Sequence, residues 1–268
     1  VFNFNIPILA ELANYSIKLY GKLGNNSTLE KEVTDIVAGD VYIIQGQSNA
    51  VARMRSGTAD AFQDDFIRVF AKGTENPNGL LNSSQWFIGE GDGGSNVNGN
   101  TGQWGLKLAK SIIEYTNIPI AIFNGARGGR KILYFQAPDD YQDSLESNYG
   151  RLYHRLHTTH LKNHVRGVFW SQGESDSNGA SITGYKGLFI DLRNSWMADY
   201  PNIEQIYIFQ TKNGCNSQIN QLMKIKEAQR QLSIENTEIS IIPTAAITHH
   251  TDTCHLPFTN IYETFADR

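Results

Sequence analysis

The chain has 268 residues, of which 40% are hydrophobic and 19% are charged, enough for one large α/β domain or a domain with a small appendage. Its net charge is −4 and its pI is about 6.0, and no block of Lys or Arg stands out, so these values argue against a nucleic-acid partner and against binding to an anionic membrane. No apolar run reaches the length of a transmembrane helix, and the chain does not start with a signal peptide.

The first 40 residues differ from the rest of the chain. Residues 13–20 alternate apolar and polar side chains, which is typical of a half-buried strand. Residues 21–26 supply Gly and Asn for a turn, and residues 29–33 fit a returning strand. Because two or three strands do not form a stable domain alone, we predict that residues 1–40 are a β-rich N-terminal appendage packed on a main domain of residues 41–268. The appendage would be the remnant of a larger β domain.

From residue 41 onward, short apolar runs alternate with helical patterns. The predicted strands are residues 41–45, 67–71, 118–124, 167–171, 205–210 and 239–243. The predicted helices are residues 103–115, 149–165, 185–199, 217–234 and 260–266. A loop rich in Gly and Asn, residues 73–102, follows the second strand. This alternation predicts an α/β fold with a mostly parallel sheet and helices on both faces, in which ligands bind beyond the carboxyl ends of the strands.

Ser48 lies where the first predicted strand of this sheet meets a helical stretch. The strand ends in the sequence QGQSN, residues 45–49, and residues 50–54 suit a helix. A serine at such a turn has an exposed hydroxyl, while its own N–H joins the positive end of the helix. Acyl transfer needs such a nucleophile beside a donor that meets a developing oxyanion. The alternative is that Ser48 is only an N-cap, the commonest role of a serine at a helix start.

Three further polar clusters also follow predicted strands, at residues 124–130, 172–176 and 249–255. A serine nucleophile needs a base to take its proton and an acceptor to orient that base. In the last cluster, Asp252 and His255 lie three residues apart, so the carboxylate can reach back to the imidazole.

The other two clusters offer donors for an oxyanion. The Gly128-Gly129 turn can bring a backbone N–H close to a ligand, because glycine tolerates the required dihedral angles. The side-chain amide of Gln172 is a further donor. Each of the four clusters is a weak signal alone, but the four in this order are a strong one.

The sequence blocks in these clusters resemble those of the SGNH hydrolase superfamily. They are GQSN at residues 46–49, ARGGR at 126–130, WSQGESD at 170–176 and DTCHL at 252–256. The closest branch is the sialate O-acetylesterase and carbohydrate acetylesterase group, and the resemblance covers residues 39–268. It implies a three-layer α/β/α sandwich (SGNH/flavodoxin-like) and a serine esterase, without metal or cofactor, that removes acetyl groups from sugars.

The same resemblance implies a role for each matched residue. Ser48 would be the nucleophile, His255 the base and Asp252 the acid that orients the base. The N–H groups of Ser48 and Gly128 and the amide of Gln172 would form the oxyanion hole. Further candidates for contacting the substrate or supporting the catalytic groups are Gln47, Asn49, Arg127, Arg130 and Glu174.

Two residues depart from the pattern of that branch. Arg130 stands where a Thr often follows the glycine pair, and Cys254 directly precedes the histidine. The first departure concerns the substrate subsite rather than the chemistry. The arginines near the predicted site are Arg53, Arg55, Arg127 and Arg130. An arginine there can pair with a substrate carboxylate such as that of a sialic acid, although surface arginines are common.

Several histidines have a spacing that metal sites also use. Those with helical spacing are His154, His157, His160 and His164. Two histidines three or four apart on a helix can hold zinc, but no Cys, Asp or Glu of that stretch completes the set, so a solvated polar stripe is the preferred interpretation. For His249 and His250, a place at the substrate rim or behind the catalytic groups is preferred over a metal site.

The only two cysteines, Cys215 and Cys254, are predicted to form a disulfide. Both follow late strands of the sheet, so both should lie at the same end of it. The bridge would stabilise the fold by roughly 3–4 kcal/mol in the chain-entropy model and would limit the motion of Asp252 and His255. Two independent buried thiols are the alternative, reasonable for an intracellular protein. We expect a secreted or periplasmic enzyme whose leader is not part of this chain.

The expected partner is therefore an acetylated glycan or sugar, and two other classes of function stay open. One is a non-catalytic glycan-binding module on the same scaffold, since fold alone never guarantees function. The joint presence of Ser48, Asp252 and His255 argues against it. The other is a lipase or thioesterase for longer acyl chains, against which the sequence shows no long apolar lid.

Overall fold

The computed structural model describes residues 3–72, 75–92, 100–215, 217–248 and 252–268. Its strands are β1 Tyr15–Leu23, β2 Asn26–Ile36, β3 Asp40–Gly46, β4 Ile67–Phe70, β5 Trp86–Ile88, β6 Ile120–Asn124, β7 Val165–Ser171, β8 Gln205–Phe209 and β9 Ile239–Ile242. Its α-helices are α1 Ser48–Val51, α2 Pro77–Asn82, α3 Gln103–Thr116, α4 Asn148–Thr158, α5 Ile182–Asp199, α6 Ile219–Glu235 and α7 Glu263–Asp267. In these described ranges, no helix is both long and apolar enough to cross a membrane.

Strands β1 and β2 form an antiparallel hairpin that is a sheet of its own. The hairpin turns at Gly24 and Asn25, where Gly24 adopts the positive φ that glycine tolerates. At the base of the hairpin, the Arg68 guanidinium on β4 donates two hydrogen bonds, of 2.8 and 2.6 Å, to the carboxylate of Asp35. The predicted β appendage is confirmed, while a domain boundary at residue 40 stays a prediction.

Among the described residues, seven strands form the main sheet in the order β5-β4-β6-β3-β7-β8-β9. All neighbours pair in parallel except the edge strand β5, which is antiparallel to β4. Strand β3 is central, with β6 on one side and β7 on the other. The carboxyl end of β3 is therefore a topological switch point, where ligands bind in open α/β sheets. The predicted α/β fold with a mostly parallel sheet is confirmed.

Alternate side chains of each strand face opposite layers of the core. In β3, Val41 and Ile43 pack with α4, α5 and α6, whereas Ile44 packs with α3 and α7 on the opposite face. Three fully buried tryptophans complete these two layers: Trp104, Trp170 and Trp196. Apolar side chains therefore hold a three-layer sandwich together and leave the loops at the strand ends for chemistry.

The edge strand β5 was not predicted from the sequence. The run Trp86–Ile88 is only three residues long and lies within the stretch of residues 73–102 that the sequence indicates as a loop. Its pairing with β4 is antiparallel, so it does not follow the strand–helix alternation of the other strands. It lies at the far edge of the sheet and does not change the position of the site.

The helix predicted over residues 149–165 is shorter in the structure. Helix α4 ends at Thr158, because His160 turns to a positive φ of 60° and the N–H of Leu161 donates back to the carbonyl of Leu156. The chain then enters β7 at Val165. The later part of the predicted histidine stripe is therefore not helical.

Candidate active site

Ser48 directly follows the central strand and begins helix α1. The N-cap of this helix is Gln47, so the alternative in which Ser48 serves only as an N-cap is wrong. The turn depends on Gly46, whose φ is +136° and where an added Cβ would lie 2.1 Å from the carbonyl oxygen of Ser171 on β7. Only glycine allows β3 to approach β7 so closely at this point. The strand therefore ends in a turn that presents the half-buried Ser48 at the switch point.

Gln47 fixes the loop after β7 to the turn that carries Ser48. Its side chain is buried, and its Oε1 accepts hydrogen bonds from the backbone N–H groups of Gly173 and Ser175 at 3.4 and 3.1 Å. Its own N–H donates to the carbonyl of Ser171 at 2.9 Å. Gln47 thus holds this loop through backbone contacts, and its role in the site stays a prediction.

The loop after β6 lies directly against Ser48. A Cβ built on Gly128 would be 3.7 Å from the Cβ of Ser48, so the backbone of Gly128 packs beside the serine. The N–H of Arg127 donates to the carbonyl of Gly46 at 2.9 Å and holds this loop in place. The structure therefore brings together Ser48 and the glycine turn that the sequence predicts as an oxyanion donor.

Asp252 and His255 form a close pair on the loop that precedes α7. Asp252 Oδ2 lies 2.7 Å from His255 Nδ1, and Asp252 Oδ1 accepts from the backbone N–H groups of Cys254 and His255 at 3.0 and 2.9 Å. Partial burial acts to raise the pKa of Asp252, but these three hydrogen bonds outweigh it and hold the pKa well below its usual range. The carboxylate therefore stays ionised and orients the imidazole.

Ser48 and His255 line one open cavity of about 620 Å³. Their side chains are not hydrogen-bonded to each other in the described part of the chain, and His255 Nε2 lies 3.9 Å from the sulphur of Cys254. Catalytic hydrogen bonds are often long in a site without substrate. The cavity brings the predicted nucleophile and the predicted base together, and their roles stay a prediction.

Asn49, next to the serine, holds the loop that carries His255. Its Oδ1 accepts from the N–H of Leu256 at 3.1 Å, and its Nδ2 donates to the carbonyl of Cys254 at 3.3 Å. These two contacts flank His255 on both sides. Asn49 itself is buried, and its carbonyl accepts from the indole N–H of Trp104 at 2.7 Å.

The disulfide joins Cys215 to Cys254 across 39 residues of sequence. It ties the loop after β8 to the loop that holds Asp252 and His255. The N–H of Cys215 also donates to the carbonyl of Thr253 at 3.2 Å. Two neighbouring predicted positions, His249 and His250, lie outside the described residues.

Gln172, the predicted side-chain donor of the oxyanion hole, is buried between two strand-end loops. Its side chain is 1% exposed and is not among the residues that line the cavity. Its Nε2 donates to Asp176 and, at 3.2 Å, to the carbonyl of Arg130, and its Oε1 accepts from the hydroxyl of Tyr185 at 3.0 Å. In this arrangement the amide holds the two strand-end loops together, which argues against a direct contact with an oxyanion, and its role stays a prediction.

Glu174 is a half-buried carboxyl group at the cavity. Burial raises its pKa to about 7, and the nearby Asn49 amide offsets only part of this effect. Its Oε2 is completely covered and has no hydrogen-bond partner within the described residues. Glu174 therefore gains and loses its proton near neutral pH, beside the predicted base.

Four arginines line the cavity and give it a positive rim: Arg53, Arg55, Arg127 and Arg130. Arg127 and Arg53 both bind Glu75, the latter at 3.8 Å. Arg130 stacks over the ring of Tyr134, with its guanidinium carbon 4.8 Å from the ring centre, and no carboxylate pairs with it within the described residues. The predicted contact of Arg130 with a substrate carboxylate stays a prediction.

Arg55 makes a contact that sequence reasoning missed. Its guanidinium lies 3.4 Å from Asp252 Oδ2. The two residues are 197 positions apart, and no spacing or motif in the sequence predicts that they are in contact. Only the fold reveals it.

The predicted histidine stripe is divided between helix α4 and the segment that follows it. His154 and His157 lie on α4, where His157 stacks on Tyr153 at 5.5 Å, and His160 and His164 follow the end of the helix. Across the described ranges, no group of three or more His, Cys, Asp or Glu side chains is placed to hold a metal ion.

The fold and the motifs at its strand ends define an SGNH-type hydrolase scaffold. The profile of the family described as carbohydrate esterase, sialic acid-specific acetylesterase, matches residues 38–263. The chain belongs to this family. Among curated proteins, none matches the sequence significantly.

Solved structures show the same fold at low sequence identity. XAC1771, a carbohydrate acetylesterase from Xanthomonas citri, superposes with a TM-score of 0.64 and 20% identity over 90% of this chain and 57% of its own length. A protein from Arabidopsis thaliana gives 0.65 and 16% over 86% of this chain and 97% of its own. NanS gives 0.62 and 16% over 87% of this chain and 96% of its own. The chain thus spans little more than half the length of the Xanthomonas protein.

Proposed function

We propose that this chain is a serine esterase that removes O-acetyl groups from carbohydrates through an acetyl-enzyme. One observation carries the proposal: Asp252 binds Nδ1 of His255 at 2.7 Å, and His255 lines the same cavity as Ser48. Membership in a carbohydrate esterase family supports the acetylated sugar as substrate. The disulfide supports a secreted or periplasmic location, because such bonds persist in oxidising compartments.

The chemistry divides between the two sides of the cavity. His255 takes the proton of Ser48 as Oγ attacks the acetyl carbonyl, and the tetrahedral intermediate then collapses as His255 protonates the departing sugar hydroxyl. Water attacks the acetyl-enzyme by the same route, releases acetate and restores Ser48. Asp252 holds the imidazole in the tautomer that leaves Nε2 free to accept the proton.

The oxyanion would be stabilised by backbone N–H groups of Ser48 and Gly128. The packing of Gly128 against Ser48 supports this assignment, since a donor must lie within hydrogen-bond distance of the developing oxyanion. Losing one such donor typically costs about 10²–10³ in turnover.

The positive rim supports an acetylated sugar that carries a carboxylate. Arg130 is held over Tyr134 with no carboxylate paired to it in the described part of the chain, whereas Arg127 and Arg53 share Glu75. A bidentate arginine–carboxylate contact at this rim would select acidic sugars over neutral ones. Acetate release from acetylated sialic acid, pectin and xylan tests this, with Arg130→Gln expected to lower the rate only on the acidic substrates.

A Ser48→Ala variant tests the reaction itself. We expect hydrolysis of a chromogenic acetyl ester to fall by about 10³-fold or more, and an acetylated Ser48 to be trapped by mass spectrometry in the wild type. Ser175→Ala is the matched control, because Ser175 also lines the cavity but is not the proposed nucleophile. Wild-type turnover in Ser48→Ala would refute the proposal.

The same assay separates the remaining alternatives. A glycan-binding module would bind acetylated sugars with no turnover by the wild type. A lipase or thioesterase would favour longer acyl chains, so a series of esters of increasing chain length distinguishes it. Loss of activity in EDTA that zinc restores would support a metal enzyme instead.

A further inference from the structure

Arg55 and the proposed catalytic base His255 both contact the same carboxylate oxygen of Asp252. Its Nη1 lies 3.4 Å from Asp252 Oδ2, the oxygen that also lies 2.7 Å from His255 Nδ1. The Arg55 and Asp252 side chains are each about one third exposed, at 34% and 33%. An ion pair so exposed contributes little to stability, so its position next to the base calls for another explanation.

Backbone hydrogen bonds hold the segment of Arg55 next to the loop of His255, and they do not involve the Arg55 side chain. The N–H of Phe258 donates to the carbonyl of Arg55 at 3.0 Å, and the N–H of Thr259 donates to the carbonyl of Ser56 at 3.3 Å. These bonds join the segment after α1, which carries Ser48, to the end of the loop that carries His255. A substitution of the Arg55 side chain therefore leaves these ties in place.

We propose that Arg55 is a positioning residue whose charge acts through Asp252 to keep His255 in its neutral, proton-accepting form. An ionised carboxylate alone favours the protonated imidazole. A guanidinium on the same oxygen offsets part of the carboxylate charge and adds direct repulsion toward the imidazolium. His255 then accepts the Ser48 proton at a lower pH than it would beside Asp252 alone.

Other charged groups also face His255 and must be separated from Arg55. The charged and titratable side chains that share its cavity are Arg53, Arg55, Glu75, Arg127, Arg130 and Glu174. Arg53 and Arg127 share the one carboxylate of Glu75, which offsets one of their two positive charges. Burial raises the pKa of the Tyr262 hydroxyl, near Arg55 and Asp252, so it stays neutral and adds no charge. Arg55 is the arginine in direct contact with Asp252.

The first test follows the His255 imidazole directly by NMR titration and needs no catalytic activity. Its ring signal is assigned by its absence in His255→Gln. In Arg55→Gln, we expect the titration midpoint of His255 to rise by about 0.5–1 pH unit. Arg55→Lys keeps the charge and should return the midpoint to within about 0.2 units of the wild type.

Two controls make the result specific. Arg53→Gln removes a charge from the same cavity but not from Asp252, and should leave the midpoint within about 0.2 units of the wild type. Because Glu174 titrates in the same range, the titrations are repeated in the Glu174→Gln background. Should Arg55→Gln not fold, Arg55→Met removes the same charge and keeps the aliphatic stem.

The second test is the pH profile of kcat/KM, and this part depends on the proposed esterase function. The acidic limb should move upward by the same amount in Arg55→Gln, with a loss of several-fold near pH 6 and little change near pH 8.5. An unchanged His255 midpoint in Arg55→Gln, or an equal shift in Arg53→Gln, overturns the inference. A wild type without esterase activity would refute the proposed function and leave the titration result valid.

Discussion

Ser48 and His255 lie in the same cavity, but the protein holds them in different ways. Ser48 follows the central strand directly, and its neighbours Gly46, Gln47 and Asn49 are all buried. His255 lies on a loop whose residues Asp252 and Thr253 are exposed. The nucleophile is therefore positioned by the core, and the base is positioned by a small number of separate contacts.

Besides backbone hydrogen bonds, three side-chain ties hold the base loop within the described residues, and each can be removed by substitution. They are the disulfide from Cys215, the hydrogen bonds of Asn49 and the ion pair of Arg55. On the nucleophile side, by contrast, the same residues build the sheet and the site. This difference predicts that changes near Ser48 cost stability and activity together, whereas the exposed ion pair of Arg55 on the base loop can be cut with a larger effect on activity than on the fold.

The largest effect is expected from removing the disulfide. In Cys215→Ala/Cys254→Ala, the free energy of unfolding should fall by about 4 kcal/mol in the chain-entropy model for a 39-residue separation, as measured by urea denaturation. Esterase turnover should fall as well, because the loop of Asp252 and His255 loses its covalent tie. Dithiothreitol should mimic the variant in the wild type and leave the variant itself unchanged. Unchanged turnover in the variant would mean that the base loop does not depend on this tie.

The second-largest effect is expected at Gly46, on the nucleophile side of the cavity. Gly46→Ala should lower the free energy of unfolding by roughly 3 kcal/mol, because the new Cβ would meet the carbonyl oxygen of Ser171 at 2.1 Å and φ is positive. Gly129→Ala is the matched control, since Gly129 also has a positive φ, of 68°, but no atom lies within 4 Å of the added Cβ. Its cost should be about 1 kcal/mol, from the backbone conformation alone. Equal costs would show that close packing at Gly46 is not the reason for the glycine.

The sequence was sufficient to predict the parallel part of the sheet, because the periodicity of apolar residues depends directly on their burial. It predicted the six parallel strands and placed Ser48, Asp252 and His255 at strand ends. It could not predict how side chains pair across the fold. Gln172 carries an amide suited to an oxyanion, but Asp176, Arg130 and Tyr185 occupy that amide, and Tyr185 belongs to a helix that periodicity does not orient.

The burial of the charged Arg155 side chain was another feature that could not be predicted from the sequence. Arg155 lies on α4 among apolar residues, with 1% exposure, and donates to the carbonyls of Phe70 and Asn124 at the ends of β4 and β6. An arginine in a helical pattern normally indicates a solvated face. Its burial depends on carbonyl groups that become neighbours only when the sheet forms.

A third prediction tests the base side through Asn49. Asn49→Ala removes both hydrogen bonds that flank His255, and kcat/KM should fall by about 10- to 100-fold, or roughly 2 kcal/mol of transition-state stabilisation. Asn148→Ala is the control, because its buried amide also makes two hydrogen bonds, to Gln45 and to the carbonyl of Gly125, away from the base loop. Both variants should lose stability to a similar extent. If turnover falls equally in both, the effect of Asn49 is general and not exerted through His255.

The smallest effect concerns Glu174, which lines the cavity together with Ser48 and His255. Burial raises its pKa in the folded protein from an ordinary value near 4.5 to about 7, so the folded state binds this proton more tightly than the unfolded state. The stabilising contribution is complete below about pH 4.5, declines as the pH rises, and is lost above about pH 7. In Glu174→Gln this decline should be absent. The difference in the free energy of unfolding between the variant and the wild type should therefore be about 1–2 kcal/mol more favourable to the variant at pH 8 than at pH 5. This is less than the full pKa shift would give, because the residue is only half-buried. Urea denaturation at both pH values measures the difference, and Glu146→Gln, at an exposed position, is the control. If the stability of Glu174→Gln relative to the wild type is the same at both pH values, the Glu174 carboxyl is ionised in the folded protein at neutral pH.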